Sequence, residues 1–324
     1  MGELQSGSQV HATQTSTACP VCSGTSYTLY RRHCRDLLHG CPGEWSLVKC
    51  DSCSLVYLFP MPEGHQIERY YPVDYAPHVV GQENGIRSSA LGKAIWQTLT
   101  LPYRFRFGSP TWDVSPFGAG RMLDVGCGSG ELLARMSSRG WKCWGIDFST
   151  AAVQRAKERA PAAVVTCATI ENAAFNNNFD LITVSHLIEH LPNPVAALQK
   201  LASLLASGGR LMIALPNRGS LEARLFGSRW LGWEIPRHLT HFDEAGIVRL
   251  LNSVGLAVKS RRPLLAPPSI SESLILCLPE SARRAVLRSR LRRYLYLALY
   301  PVATVSYAFG NRAVLEVISE KNGK

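Results

Sequence analysis

Three groups of residues in this chain have types and spacings that chemistry requires. The stretch LDVGCGSGELL, residues 123–133, carries glycines at 126, 128 and 130 after Asp124, and WKCWGIDFS supplies a second acid, Asp147. Glycine has no Cβ, so such a turn brings main-chain N–H groups close to a ligand. The pairs CPVC at 19–22 and CDSC at 50–53 are separated by twenty-seven residues. Four thiolates on two tight knuckles suit tetrahedral Zn²⁺, with Cys19, Cys22, Cys50 and Cys53 as ligands. His33, Cys34, His39 and Cys41 lie inside the gap and could replace one of them. The third group is histidine-rich. SHLIEHLPNP offers His186, Glu189 and His190, and SRWLGWEIPRHLTHF offers Arg237, His238 and His241 beside Trp230 and Trp233. Imidazole titrates near neutral pH, which suits a general base.

Three ligands compete for the glycine turn. A phosphate-binding loop would end in Gly-Lys-Ser/Thr, whereas this one ends in Gly130-Glu131. A dinucleotide fingerprint reads G-x-G-x-x-G, and here the spacing is G-x-G-x-G. What remains is a ligand with a cationic or amino group at the turn. Asp147 ends the next strand, where a carboxylate can accept hydrogen bonds from both hydroxyls of a ribose. The two acids together suit an adenosine that carries an aminoacyl tail. The plain alternative is a tight strand-to-helix connection with no ligand.

The elements that must position these residues follow from the pattern after Gly120. Short apolar runs, RMLDVGC, WKCWGIDF, AVVTCAT, FDLITVSH and RLMIALP, alternate with helical periods over 130–139, 149–159 and 194–206. That alternation predicts an α/β, doubly wound parallel sheet covered on both faces. DEAGIVRLLNSVG predicts a helix capped by Asp243 and ended by Gly255. GLAVKSRRPL and RAVLEVISEK read as two further strands, with a helical insertion over 265–310 between them. The chain divides into a polar tail at 1–18, a zinc-binding module at 19–59, a linker and helical segment at 60–118, and a main domain at 119–324. Within 60–118, a basic and aromatic helical run is expected over 85–108.

Composition narrows the partners. Apolar residues make up 46% and charged ones 18%, a globular balance, and the net charge of +11 fits an anionic partner without choosing nucleic acid, phospholipid or phosphorylated substrate. No apolar run follows a positive start, so a cytoplasmic protein is expected, and its ten cysteines are not read as a disulfide framework. The uncharged run from Tyr294 to Asn311 is interrupted by Pro301 and falls short of a spanning helix. Arg283, Arg284, Arg288, Arg290, Arg292 and Arg293 stand before it. Cations beside apolar bulk suit an anionic membrane surface, giving peripheral contact through 283–310 at an inner membrane face. The competing reading is a helical cap on the substrate side with solvated arginines.

Over residues 119–262 the chain resembles the class I S-adenosylmethionine-dependent methyltransferases, through LDVGCGSG, Asp147 and FDLITVSHLIEHLPNP. The resemblance implies a Rossmann-like seven-stranded sheet with S-adenosyl-L-methionine as cofactor. Asp124, Gly126, Cys127, Gly128 and Gly130 would hold its methionine part and Asp147 its ribose. Phe148, Thr169, Ile170, Ser185 and His186 would complete the site. The segments LVKCDSCSLVYLFPMP and YYPVDYAP are similar to bacterial methyltransferases with an N-terminal zinc module, several of which act on sugars. That implies a small-molecule acceptor, first a nucleotide-linked or lipid-linked sugar, and a structural zinc whose four-thiolate shell has no open position. Some ubiquinone-pathway O-methyltransferases are metal-assisted and carry an acid where this chain has His186, which argues against a divalent metal there. His238 is the expected base, with His190 and His241 behind it, and Trp230 and Trp233 are expected to wall the acceptor. An RNA methyltransferase and a non-catalytic cofactor- or partner-binding protein are the alternatives, although no aromatic-basic RNA-binding motif is present.

Overall fold

The computed structural model describes residues 18–62, 67–71, 94, 97–98, 101, 118–266 and 268–321. The expected tail up to residue 17, and the helical run over 85–108 apart from helical positions 94, 97, 98 and 101, lie outside the described residues.

The cysteine segment folds as an antiparallel meander of β1 (Tyr27–Cys34), β2 (Trp45–Cys50) and β3 (Val56–Phe59). From Arg121 the chain alternates strand and helix: β4 (Arg121–Val125), α1 (Glu131–Ser137), β5 (Lys142–Asp147), α2 (Thr150–Arg159), β6 (Val164–Cys167), β7 (Phe179–Ser185), α3 (Pro194–Leu204) and β8 (Leu205–Pro216). Then come α4 (Leu221–Phe226), β9 (Thr240–His241), α5 (Glu244–Ser253), β10 (Leu256–Pro263), α6 (Pro268–Leu276), α7 (Glu280–Arg288), α8 (Leu291–Ala308) and β11 (Val314–Lys321).

Seven strands form one sheet in the order β10-β11-β8-β7-β4-β5-β6. Alternate side chains of β4 enter different cores. Leu123 and Val125 join Ile182 and Ile213 on one face, while Met122 joins Leu181 and Met212 on the other. Burial on both faces explains why these strands read as continuous apolar runs. β4 to β8 are parallel, as expected, but β11 runs antiparallel to both β8 and β10. An apolar run fixes that a strand is buried and not which way it points.

The helix starts follow side-chain capping. Ser149 Oγ accepts the Ala152 N–H, Asn193 Oδ1 the Ala196 N–H, and Asp243 Oδ1 the Gly246 N–H at 2.7 Å. Gly255 follows α5 at φ 79°, the left-handed conformation that favours glycine. Helices α6 to α8 occupy the segment between β10 and β11, and α8 continues through Pro301. Among the described residues, no helix is long and apolar enough to cross a membrane.

The cysteine sheet is closed by the main domain. β9 pairs with β3, Val56 opposite His241 and Tyr57 opposite Thr240, and the Leu58 N–H donates to Leu239 O at 2.9 Å. Below that seam, fully buried Arg237 grips Asp36 with both terminal nitrogens, at 2.9 and 3.0 Å. Burial alone would raise the Asp36 pKa, but the guanidinium and the His39 amide hold it at about 2.

Candidate active site

The order of the main sheet reverses between β4 and β7, and ligands of open α/β sheets bind in the crevice at such a point. A cavity of about 750 Å³ opens there. Its floor comes from the carboxyl ends of five strands: Val125 and Gly126, Ile146 and Asp147, Ala168 and Thr169, Ser185 and His186, and Pro216.

The glycine turn has the form a close ligand requires. Gly126, Gly128 and Gly130 all have positive φ. A Cβ at Gly130 would lie 2.8 Å from the Ala156 backbone, so no side chain fits there. The Gly126 N–H donates to Ile146 O at 2.8 Å, and the Gly128 N–H to Asp147 Oδ2 at 2.9 Å. Asp147 Oδ1 accepts the Ser149 N–H at 2.9 Å. The acid of β5 therefore braces the turn after β4 while facing the cavity.

Of the expected cofactor residues, Gly126, Gly128, Asp147, Phe148, Thr169, Ile170, Ser185 and His186 line this cavity. Asp124, Cys127 and Gly130 do not. Asp124 lies beneath the turn, accepting Thr183 Oγ1 at 2.7 Å, and burial followed by the Asp147 charge raises its pKa to about 6. Cys127 belongs to the opposite core with Leu133 and Met136. Both departures share a cause: residues alternate across a strand end, so acid and thiol fall on the face away from the crevice.

The opposite side is assembled from distant segments: Tyr71, His186 with Leu187 and His190, Trp230 to Gly232 with Glu234 and His238, and Pro268 with Ser269. His186 directly follows β7 at φ 49°, a strained conformation for a non-glycine residue and one found at functional sites. Its side chain is 46% exposed, and its Nδ1 lies 3.5 Å from Glu189 Oε1. Burial lowers the His186 pKa, but the Glu189 carboxylate beside it outweighs this and leaves the group above its ordinary value. Burial likewise opposes the Glu189 anion, and His186, then His190 and His238, hold its pKa below the usual value.

His190 Nδ1 meets the Tyr71 hydroxyl at 2.8 Å and Arg237 O at 3.1 Å. Burial and the His238 charge bring the His190 pKa down to about 4, so this ring is neutral at physiological pH and a weak base. His238, the expected base, has both nitrogens engaged. Nδ1 pairs with Gly232 O at 2.9 Å, and Nε2 faces Glu234 at 3.6 Å and Glu189 at 4.0 Å. His241 is absent from the cavity wall. As part of β9 it is buried against Trp233, at 4.9 Å between ring centroids. Trp230 lines the cavity and Trp233 does not. Arg237 is spent on Asp36 and Glu234. Tyr71 lies in the YYPVDYAP stretch but was not singled out there, because only the folded chain brings it to His190.

Two side-chain clusters could hold a metal ion. Cys19, Cys22, Cys50 and Cys53 converge, with Sγ pairs 3.5 Å apart for Cys19–Cys53 and Cys22–Cys50. A tetrahedral Zn²⁺ with Zn–S bonds of about 2.3 Å sets sulfurs about 3.8 Å apart, so the donors fit. Amides of Val21 and Cys22 face the Cys19 sulfur, and those of Ser52 and Cys53 face Cys50. Cys34 and Cys41 instead bond main-chain carbonyls, Arg31 O and Tyr70 O. The second cluster, Glu189, His190 and His238, brings one ligand atom each within 4.8 Å, and neither Glu189 oxygen has a hydrogen-bond partner. The argument from His186 against a divalent metal therefore does not remove a donor set, since His238 supplies the third group.

Comparison with known proteins agrees with this geometry. Residues 104–261 match the family described as "Methyltransferase domain". The chain is similar to a ubiquinone biosynthesis O-methyltransferase of Alkalilimnicola ehrlichii, 35% identical over 36% of this chain and 51% of the relative. It thus spans about half the length of that protein. A second such enzyme, from Xanthomonas axonopodis pv. citri, is 28% identical over 48% of this chain and 70% of the relative. Among solved structures, the N-methyltransferase NodS of Bradyrhizobium japonicum, bound to S-adenosyl-L-homocysteine, has a TM-score of 0.44 at 14% identity, covering 80% of this chain and 98% of that one. With a sequence match across the glycine turn and all the parallel strands, set on a sheet with one antiparallel member, residues 104–261 carry a methyltransferase domain.

Proposed function

We propose that this protein transfers a methyl group from S-adenosylmethionine to a small-molecule acceptor held in the 750 Å³ cavity. The observation that carries this reading is one crevice lined by the glycine turn, Asp147 and His186, with buried Glu189 beside the His186 ring. When bound, the cofactor supplies a methyl on a positively charged sulfur. Gly126 and Gly128 receive its amino-acid part, Asp147 its ribose hydroxyls, and Phe148, Thr169 and Ile170 its adenine. His186 replaces His238 as the proposed base. Its Nδ1–H is directed at Glu189, which leaves the Nε2 lone pair to take the acceptor's proton, in the manner of a base oriented by a carboxylate. His190 and Tyr71 position the acceptor beside it, and Trp230 with Leu231 excludes water. Much of the rate comes from alignment of donor and nucleophile. Lipid-like and sugar acceptors, nucleotide-linked or lipid-linked, both suit a cavity with Ile67, Trp230, Ala266 and Pro268 in its wall. The exposed apolar side chains Tyr294, Val302, Val305 and Phe309 on and after α8 support contact with a membrane face.

Zinc in the four-cysteine cluster is assigned a structural role. Elemental analysis should find one zinc per chain, and chelation should lower Tm by at least about 5 °C, since metal binding there is folding free energy. Calorimetry with S-adenosylhomocysteine, followed by radiolabelled donor with fractionated small-molecule, lipid and RNA pools, tests the function. Saturable binding and label in the first two pools are expected. Absence of binding by folded protein, or label in RNA alone, overturns the reading. Activity that survives chelation of the Glu189–His190–His238 set favours the imidazole base over a bound cation.

A further inference from the structure

A second concavity, a cleft of about 1110 Å³, opens between β1 with the 35–44 loop, the 228–235 segment and α7. It backs onto the first cavity, sharing Trp230, Leu231 and Glu234 with its wall. Six arginines line it: Arg31, Arg32, Arg35, Arg229, Arg283 and Arg284. The four carboxylates in the lining are already engaged. Asp36 and Glu234 pair with Arg237, Glu44 with Arg35 and His33, and Glu280 with Arg284. Among the described residues, Arg31, Arg32, Arg229 and Arg283 have no carboxylate within ion-pair distance.

Two of these arginines are built into the protein rather than free on its surface. Arg283 is only 8% exposed, and its Nε is buried with no hydrogen-bond partner. Arg31 Nε is in the same state, with its guanidinium 5.4 Å from the centre of the Trp233 ring. A buried N–H of a charged group without an acceptor is unfavourable, so the cleft lacks oxygens that a ligand can bring. Planar guanidinium forks match phosphate oxygens two at a time. Four cations without a carboxylate partner exceed what one carboxylate can balance, whereas a diphosphate spreads several charges over two phosphoryl groups; Arg229 otherwise meets only Leu276 O, at 3.4 Å.

We propose that this cleft binds a diphosphate, and that the diphosphate is the carrier end of the acceptor. The first half stands on the cleft alone; the second rests on the methyltransferase reading above. The diphosphate could belong to a nucleoside carrier in solution or to a prenyl carrier in a membrane, and the two are separable by experiment.

Calorimetry on the full chain would use inorganic pyrophosphate, uridine diphosphate, and phosphatidylcholine vesicles containing a prenyl diphosphate. Saturable binding of pyrophosphate and of one carrier form is expected, and which form binds assigns the carrier. Arg283→Gln and the exposed Arg32→Gln should each weaken it about tenfold, or 1.4 kcal/mol, with S-adenosylhomocysteine affinity unchanged as the control for folding. If Arg283→Gln fails that control, Arg32→Gln and Arg229→Gln carry the test. Absence of saturable pyrophosphate binding, or binding indifferent to these substitutions, overturns the proposal. Failure of S-adenosylhomocysteine to bind the parent protein, with pyrophosphate still bound, removes the methyltransferase reading and leaves the cleft standing.

Discussion

The two halves of the cavity are built in different ways. The cofactor half is local: its glycine turn, Asp147 and Thr169 sit within fifty residues, each at the carboxyl end of a parallel strand. The acceptor half draws Tyr71, His186, Glu234 and Ser269 from four separate segments. Turn geometry and strand ends dictate the first, whereas the second depends on how β9, the cysteine sheet and the helical insertion pack. A ligand shared by a family can be served by a contiguous motif, while an acceptor particular to one member is met by whatever the tertiary fold brings together.

That contrast can be tested from either side. The largest effect is expected at the acceptor half, where His186→Ala should lower kcat about 10²- to 10⁴-fold, measured with saturating donor, while S-adenosylhomocysteine affinity stays constant. Equal losses in kcat and cofactor affinity would dissolve the division between the halves. Next is the brace behind the acceptor wall. Arg237→Leu strands buried Asp36 and should cost about 3–5 kcal/mol of stability, read by denaturant unfolding. Asp36 also sets a sign. Its folded pKa is depressed to about 2, so its contribution is present above the ordinary carboxylate range and is lost as pH falls through about 2. The variant should lack that acid-side loss. On the cofactor half, Asp147→Ala removes the proposed ribose contact together with the brace on the Gly128 and Ser149 amides. S-adenosylhomocysteine should bind about a hundredfold more weakly by calorimetry.

The smallest effect sharpens the assignment of the base. A base must be neutral to accept a proton, so activity should rise with pH through the pKa of His186. Glu189 stabilises the imidazolium and raises that pKa, so Glu189→Gln should move the acid limb of the kcat profile to lower pH. An unmoved limb would remove the pair from the mechanism.

The sequence made the cofactor half legible because glycine spacing and strand-end acids are local signals. The fold was legible for the same reason, down to the Asp243 cap and the insertion before β11. Its antiparallel final strand was not, since direction depends on where the insertion returns the chain. Asp124 and Cys127 were placed in the right loop and on the wrong side of it, because alternation across a strand end shifts by one residue. His241 was misread for want of β9, a strand of two residues that no periodicity can reveal. His238, expected as the base, does line the cavity, but its engagement by Gly232, Glu189 and Glu234 depends on contacts that only the folded chain brings together.

The two-residue strand β9 has a consequence for how such a chain can be rearranged. Since Thr240 and His241 belong to the cysteine sheet while Glu234 and His238 belong to the pocket wall, the cysteine knuckles and the pocket share one stretch of backbone. The N-terminal module is therefore not a detachable cassette: a version transplanted from another protein would have to carry its own matching edge into the host enzyme, or the pocket would lose its wall.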